Sequence, residues 1–257
     1  MLLAIDIGNT NINLGVWDGQ TLLREWRLQT SRDRTADEYG ILLTGLLTEV
    51  SLDKTIDGVI LASVVPVLTE TFVLLCRNTL KVEPLVVNAG LDLGIKILTD
   101  NPAEVGADRL VNAAAAYYLF KRPCIIIDMG TATTFDVVSA DAELLGVVIV
   151  PGLRLAADAL ISQAAKLSQV PLTAPPHATG RNTTHAIQSG LIFGTVALIE
   201  GMIKRLIEEH PNQESEILIL GTGGLIGLIA PHTEIIDLVD PSLTLTGLRI
   251  IFQRVNQ

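Results

Sequence analysis

Two aspartates close apolar runs. Asp6 follows Leu2-Leu3-Ala4-Ile5, and Asp128 follows Cys124-Ile125-Ile126-Ile127. A carboxylate ending a buried strand is costly unless something pairs with it. Each is followed two residues later by glycine, Gly8 or Gly130, and then by amides and hydroxyls. These are Asn9, Thr10, Asn11 and Asn13 in the first run, and Thr131, Thr133 and Thr134 in the second. Glycine lets a ligand approach the backbone closely, and exposed N–H groups with hydroxyls offer donors to phosphate oxygens. One carboxylate cannot hold a phosphate, but it can hold a cation that does. Asp6 and Asp128 are therefore candidate cation-linked phosphate sites. For each alone, an Asx-type turn cap explains the residue equally well; the repetition favours function.

Three further segments carry chemistry-bearing residues. Asp108-Arg109 stands at the start of an Ala-rich stretch. There the helix dipole favours an ionised carboxylate, which could take the proton of an attacking hydroxyl. Arg109 could grip an organic carboxylate with two parallel donors, although an exposed charge pair at a helix start is the plainer reading. Gly180-Arg181-Asn182-Thr183 precedes another helical pattern, where Thr183 could cap the helix or offer a hydroxyl to a ligand. Gly221-Thr222-Gly223-Gly224 follows an apolar strand and could cradle a nucleotide, but any strand-to-helix turn may use glycines. No GxxxxGK is present, and GxGxxG fails because position 226 is Ile, so the P-loop and dinucleotide fingerprints are both absent.

The elements that must hold these residues follow from apolar periodicity. An alternating stretch with Ile12, Leu14 and Val16 follows the first apolar run, giving a β-hairpin, with a third strand over 21–29 after the turn at Trp17–Gln20. Thr35 can cap a helix reaching about Val50. A strand over Val59–Ser63, helical spacing over Val67–Leu80 and a short strand over Leu85–Val87 follow. A loop through Asn101 to Arg109 enters a helix over about Ala107–Phe120, which Lys121-Arg122-Pro123 breaks. The opening pattern then returns: strand to Asp128, polar turn Gly130–Thr134, then a strand with Phe135, Val137 and Val138. Asp6 and Asp128 are 122 positions apart in a chain of 257 residues, which points to a duplicated α/β unit with a seam near residue 121. The second half adds a strand over Gly146–Val150 and a helix over about Leu155–Ala165. Beyond those come a long helical region over Thr183–Glu209, a strand over Ile217–Leu220 and a last helix over about Leu243–Gln253. Alternating strands and helices argue a layered α/β fold.

Composition sets limits on function. Lys and Arg number 18 against 28 Asp and Glu, a formal net charge of −10 that argues against general nucleic-acid binding. Apolar residues make up 49%, enough for a large core, while aromatics at 4% leave little for a base-stacking platform. The two cysteines, Cys76 and Cys124, rule out a disulfide framework and read as buried thiols. No basic signal-peptide start is present, and no apolar run reaches the ~18 residues of a membrane span. The expectation is a cytoplasmic protein without membrane association.

Taken in order, Asp6-Ile7-Gly8-Asn9-Thr10, Gly106-Ala107-Asp108-Arg109, Asp128-Met129-Gly130-Thr131-Ala132-Thr133-Thr134-Phe135-Asp136 and Gly180-Arg181-Asn182-Thr183 resemble the motifs of type III pantothenate kinases. Pro151-Gly152 and Asp240–Leu248 extend the resemblance along nearly the whole chain. It implies two duplicated ribonuclease-H-like domains of the actin-like ATPase superfamily around a central cleft, expected at 1–121 and 122–257. It also implies an ATP-dependent transferase converting pantothenate to 4′-phosphopantothenate, the first step of coenzyme A biosynthesis. By the same resemblance Asp6, Ile7, Gly8, Asn9, Thr10, Asn11, Ile12, Asn13 and Thr131 bind ATP. Asp108 is the catalytic base, and Thr99, Gly106, Ala107, Asp108, Arg109 and Thr183 bind pantothenate. Asp128 holds a monovalent cation, K⁺ or NH₄⁺; Mg²⁺ accompanies ATP; and the assembly is a homodimer. Thr99 stands where the family often has Tyr, Val147 where a second Gly is common, and Ala156 where Ser is common. Two other readings use the same scaffold: a non-catalytic ATP-binding regulator, and a phosphoanhydride hydrolase. Retention of Asp108 and Arg109 speaks against both.

Overall fold

The computed structural model describes residues 1–52, 56–163 and 170–256. They form two compact units: Met1–Tyr118 together with Leu243–Gln257, and Leu119–Ser242.

The first unit is built on strands β1 (Leu2–Ile7), β2 (Asn11–Asp18), β3 (Thr21–Gln29), β4 (Gly58–Ser63) and β5 (Leu85–Val86), in the order β3-β2-β1-β4-β5. β1 runs antiparallel to β2 and parallel to β4. Helix α1 (Ala36–Glu49) starts at a complete capping box, in which Thr35 and Glu38 satisfy each other's backbone N–H groups. The pattern expected as one helix over 67–80 is α2 (Pro66–Leu75), which widens into a π-turn over Cys76–Leu80 and stops at Lys81, whose φ is 60°. Leu3, Ile5, Ile12, Leu14, Tyr39, Leu43 and Phe72 make one core against α1 and α2. A two-residue strand, β6 (Lys96–Ile97), and a 3₁₀ turn over Pro102–Glu104 lead to α3 (Ala107–Phe120).

The second unit repeats the plan. Its strands are β7 (Cys124–Met129), β8 (Ala132–Val138), β9 (Glu143–Pro151), β10 (Leu218–Thr222) and β11 (Leu238–Val239), ordered β11-β10-β7-β8-β9. β7 is antiparallel to β8 and parallel to β10. β1 and β7 share one burial pattern, in which the aspartate is the sole residue not fully buried. Even a register shift recurs, at Val16/Trp17 and at Val137/Val138. The helices are α4 (Leu153–Gln163), α5 (Thr183–Glu209) and the single turn α6 (Ile226–Ile229). Residues 164 and 165 of the expected helix over Leu155–Ala165 lie outside the described residues. Helix α5 is long and apolar enough to pass a length-and-composition test for a membrane span. Its Ile187, Leu191, Ile192, Val196, Ile199 and Ile203 form one stripe packed into the core of this unit.

Two expectations need correction. The turn expected over Gly130–Thr134 is only two residues long. Ala132, Thr133 and Thr134 already belong to β8, where Thr133 and Thr134 are buried and their β-branched side chains suit a strand. The single cut at residue 121 also misplaces the C-terminus. Helix α7 (Leu243–Val255) packs on β1, β2 and β4 of the first unit. Leu243, Leu245, Leu248, Ile250 and Ile251 supply its buried face. At Gly247 the helix crosses α3 so closely that a Cβ would stand 2.6 Å from the Val111 carbonyl oxygen. Thr244 donates to Asn112 Oδ1 at 2.8 Å beside that crossing.

Candidate active site

In the first unit, the turn between β1 and β2 is closed by the Gly8 N–H donating to the Asn11 carbonyl at 2.9 Å. Asp6 lies opposite Asn13 in the hairpin, and Asn13 Nδ2 donates to Asp6 Oδ2 at 3.0 Å. Ile7 and Ile12 point into the core and are fully buried; of the expected ATP-binding run they can offer backbone groups only. Asn9 and Thr10 are exposed at the tip.

The sequence reading missed the residues that support this tip from the end of β3. Thr30 donates from its hydroxyl to the Gly8 carbonyl at 2.7 Å and from its N–H to the Thr10 carbonyl at 3.0 Å. Arg27 Nε donates to Asn13 Oδ1 at 3.1 Å, and Arg32 donates to Asn9 Oδ1 at 2.9 Å. The turn at Gly19 alone would set Trp26 opposite Asn13; the register shift at Val16/Trp17 brings Arg27 there instead.

Asp108 sits in the first turn of α3. Its Oδ1 accepts the Arg109 N–H at 2.8 Å and its Oδ2 accepts the Arg109 guanidinium at 3.0 Å. The carboxylate folds back over the start of the helix, and Gly106 leaves it room: a Cβ there would come within 2.6 Å of Asp108 Oδ1 and 3.4 Å of Val64 Cγ1. Val64 in turn donates its N–H to the Ile7 carbonyl at 3.1 Å. Asp6 and Asp108 therefore share the carboxyl edge of β1 and β4, where ligands of open α/β sheets characteristically bind. Arg109 and Ala107 are both buried, each at 8% exposure. The Thr99 hydroxyl oxygen is buried with no hydrogen-bond partner among the described residues.

In the second unit, Asp128 ends β7 opposite Thr134 and beside Thr222. The Gly130 N–H closes the turn on the Ala132 carbonyl at 3.0 Å, leaving Thr131 at its tip. Gly223 has a φ of 89°, and a Cβ on it would collide with Asp128 Oδ1 and stand 2.6 Å from Met129 N. The Gly-rich turn after β10 thus frames the Asp128 carboxylate. The Asp128 carboxylate beside this space, which a Cβ would fill, is the type of oxygen donor a hard cation takes.

Thr183 is the first residue of α5, but the cap is its neighbour: Asn182 Oδ1 accepts the His185 N–H at 2.8 Å. That frees the Thr183 side chain from the capping role considered for it. Thr183 lines an open hollow of about 810 Å³ with Ala156, Leu160, Arg181 and Gly190. Cys76 and Cys124 are buried, with their thiols pushed up to about 12 by desolvation, and take no part.

A family model described as type III pantothenate kinase matches residues 2–205. A Moorella thermoacetica type III pantothenate kinase is 48% identical over 255 residues, covering 99% of each chain. The chain belongs to the type III pantothenate kinase family. The Paramagnetospirillum magneticum type III pantothenate kinase is 52% identical over 99% of this chain and 97% of its own. Solved structures show the shared fold at lower identity. An Arthrobacter polyphosphate/ATP-glucomannokinase superimposes with a TM-score of 0.52 at 16% identity, over 98% of both chains. A conserved Campylobacter jejuni protein, described as a candidate Baf family transcriptional activator, does so with a TM-score of 0.61 at 19% identity, again over 98% of both. The mixed α/β architecture with a duplicated unit is that of the actin-like ATPases and sugar kinases.

Proposed function

We propose that this type III pantothenate kinase transfers the γ-phosphoryl group of MgATP to the terminal hydroxyl of pantothenate. The observation that carries this reading is the shared sheet edge: Asp108 over the start of α3 and the Asp6 turn both stand at the carboxyl end of β1 and β4. Phosphoryl transfer asks mainly for positioning, charge neutralisation and one carboxylate to orient the nucleophile. Asp108 takes the hydroxyl proton. Its two oxygens already accept from Arg109, and each keeps a second lone pair for the substrate. Arg109 faces the pantothenate carboxylate, and the Thr99 hydroxyl, without a partner among the described residues, offers another polar contact. The run Asp6–Asn13 and Thr131 hold the phosphates. Asp128 holds K⁺ or NH₄⁺, which supplies positive charge where the phosphates approach; Mg²⁺ arrives with ATP.

We read the working form as a homodimer. On the second unit Ile149 is 69% exposed and Leu155 53%, and Leu198 is also open to solvent. On α5, a Cβ at Gly190 or Gly194 would meet nothing within 4 Å, which supports a second copy covering this face. Dependence on ATP supports a cytoplasmic location.

ADP release from MgATP, measured with and without pantothenate in potassium and then in sodium buffer, tests the assignment. Pantothenate-dependent release that requires potassium is the expected result. Release without pantothenate would make the protein a hydrolase, and no release from folded, ATP-binding protein would make it a regulator.

A further inference from the structure

Two arginines reach the phosphate turn from outside it, and both touch an asparagine in the same way. A side-chain amide has one acceptor oxygen and one NH₂ donor, whereas a guanidinium can only donate. An arginine therefore selects the amide oxygen and commits the nitrogen to face elsewhere. At Asn13 the outcome is visible. Arg27 Nε donates to Oδ1 at 3.1 Å, and the committed Nδ2 donates to Asp6 Oδ2 at 3.0 Å. At Asn9 the first half of the relay is the same, with Arg32 donating to Oδ1 at 2.9 Å. Here the committed NH₂ has no acceptor among the described residues, and Asn9 stands exposed at the tip of the turn.

Arg32 is not held by chance. The Thr30 hydroxyl and N–H pin the chain just before it to Gly8 and Thr10. The buried Tyr39 hydroxyl both accepts the Ser31 N–H at 2.9 Å and donates to the Ser31 carbonyl at 3.0 Å. The Arg34 guanidinium lies 5.8 Å from the centre of the Tyr39 ring on the other side. The backbone that carries Arg32 is thus fixed to the turn it serves.

We propose that Arg32 is a positioning residue for the nucleotide, acting through Asn9. It fixes the Asn9 amide so that its NH₂ donates to a phosphate oxygen of ATP. The inference rests on the reading that the Asp6–Asn13 turn binds phosphate. It assigns a role to a residue outside that turn, on the segment between β3 and α1.

The experiment compares Arg32→Ala, Asn9→Ala, the double variant, Arg32→Lys and Asn9→Asp. Steady-state kinetics are measured for each substrate, and the affinity for a non-hydrolysable ATP analogue by calorimetry. Arg32→Ala should raise KM for MgATP about 10-fold, the order expected for one hydrogen bond to a charged group, and leave KM for pantothenate unchanged. Because Arg32 acts through Asn9, the double variant should be no worse than Asn9→Ala alone. Arg32→Lys should recover most of the loss. Asn9→Asp keeps a partner for Arg32 but removes the donor, so it should bind ATP poorly with Arg32 intact. Additive effects in the double variant, or wild-type ATP affinity in Asn9→Asp, overturn the positioning role. Wild-type ATP affinity in Asn9→Ala overturns this inference and leaves the phosphate-turn reading standing on its backbone N–H groups, whereas intact ATP binding in every variant of the turn, Gly8→Ala included, overturns that reading as well. Arg32 is exposed, and thermal melts of each variant separate these outcomes from a folding defect.

Discussion

Gly223→Ala perturbs the Asp128 site without changing any group that could touch a ligand. Two costs arise. Gly223 holds a φ of 89°, and an alanine in left-handed backbone loses about 1–2 kcal/mol. The new methyl would also stand 2.6 Å from Met129 N and 2.7 Å from Met129 C, and would strike Asp128 Oδ1. Met129 is backbone of the central strand β7, paired on both sides of the sheet just before it, so it cannot move away cheaply; overpacking of this kind costs about 1–3 kcal/mol. The sum, about 3 kcal/mol, corresponds to a fall in Tm of roughly 6–12 °C for a chain of this size. Relief comes most readily by swinging the Asp128 carboxylate aside, so activation by potassium should weaken together with the melt. Differential scanning fluorimetry and potassium titrations of the kinase assay measure both. A Tm within about 2 °C of wild type together with an unchanged potassium response would refute the argument that this turn frames Asp128.

Asp108→Asn should retain ATP binding and lose turnover by roughly 10²–10⁴-fold, as for other general bases; near-normal turnover would remove Asp108 from that role. His210, buried at the end of α5, contacts the Val138 carbonyl through Nε2 and accepts the Asn212 N–H at Nδ1. Burial pushes its pKa below the ordinary value of 6.5, so the unfolded chain takes up the proton first. Stability is whole above about pH 6.5 and declines as pH falls towards the depressed pKa, by at most about 1.4 kcal/mol per pH unit. A His210→Gln variant should lack that slope in Tm against pH between 6.5 and 5, and an equal slope in both proteins would exclude His210 as its source. Gly190→Ala should stabilise an isolated subunit by about 0.5–1 kcal/mol, because its Cβ enters open space on a helix. If a second copy covers this face, the same change should weaken the dimer in light scattering instead.

The duplication was legible because each repeat carries its own strand, aspartate, glycine and hydroxyl signature. The hairpin order and the long helix over Thr183–Glu209 followed from apolar period and capping residues. The edges of the second hairpin did not. Thr133 and Thr134 look like turn residues to a polarity scale, yet they are strand residues buried by their neighbours. The place of α7 was also beyond a local reading: its apolar stripe announces that it needs a sheet face, but nothing in the stripe says which one. Within the site, Asp6, Asp108 and Asp128 stood out because a carboxylate beside an apolar run or helix start is costly without a purpose. Arg27 and Arg32 were passed over because an arginine on a half-exposed strand, or on the exposed segment after it, needs no explanation. The significance of Arg27 lies in the pairing of β3 with β2, and that of Arg32 in its reach back to Asn9, relations between distant positions that a pass along the chain does not weigh.

The return of α7 to the first unit bears on how the protein is made. Translation delivers β1 to α3 first, but the helix that covers β1, β2 and β4 and crosses α3 at Gly247 is made only after the whole second unit. Until then Val111, Ala115 and one face of β1, β2 and β4 lack the helix that packs on them. The second unit, contiguous from Leu119 to Ser242, can fold as it is made, whereas the first stays incomplete until α7 has followed it. A nascent chain stalled or truncated before Leu243 would expose this apolar seam to chaperones and proteases.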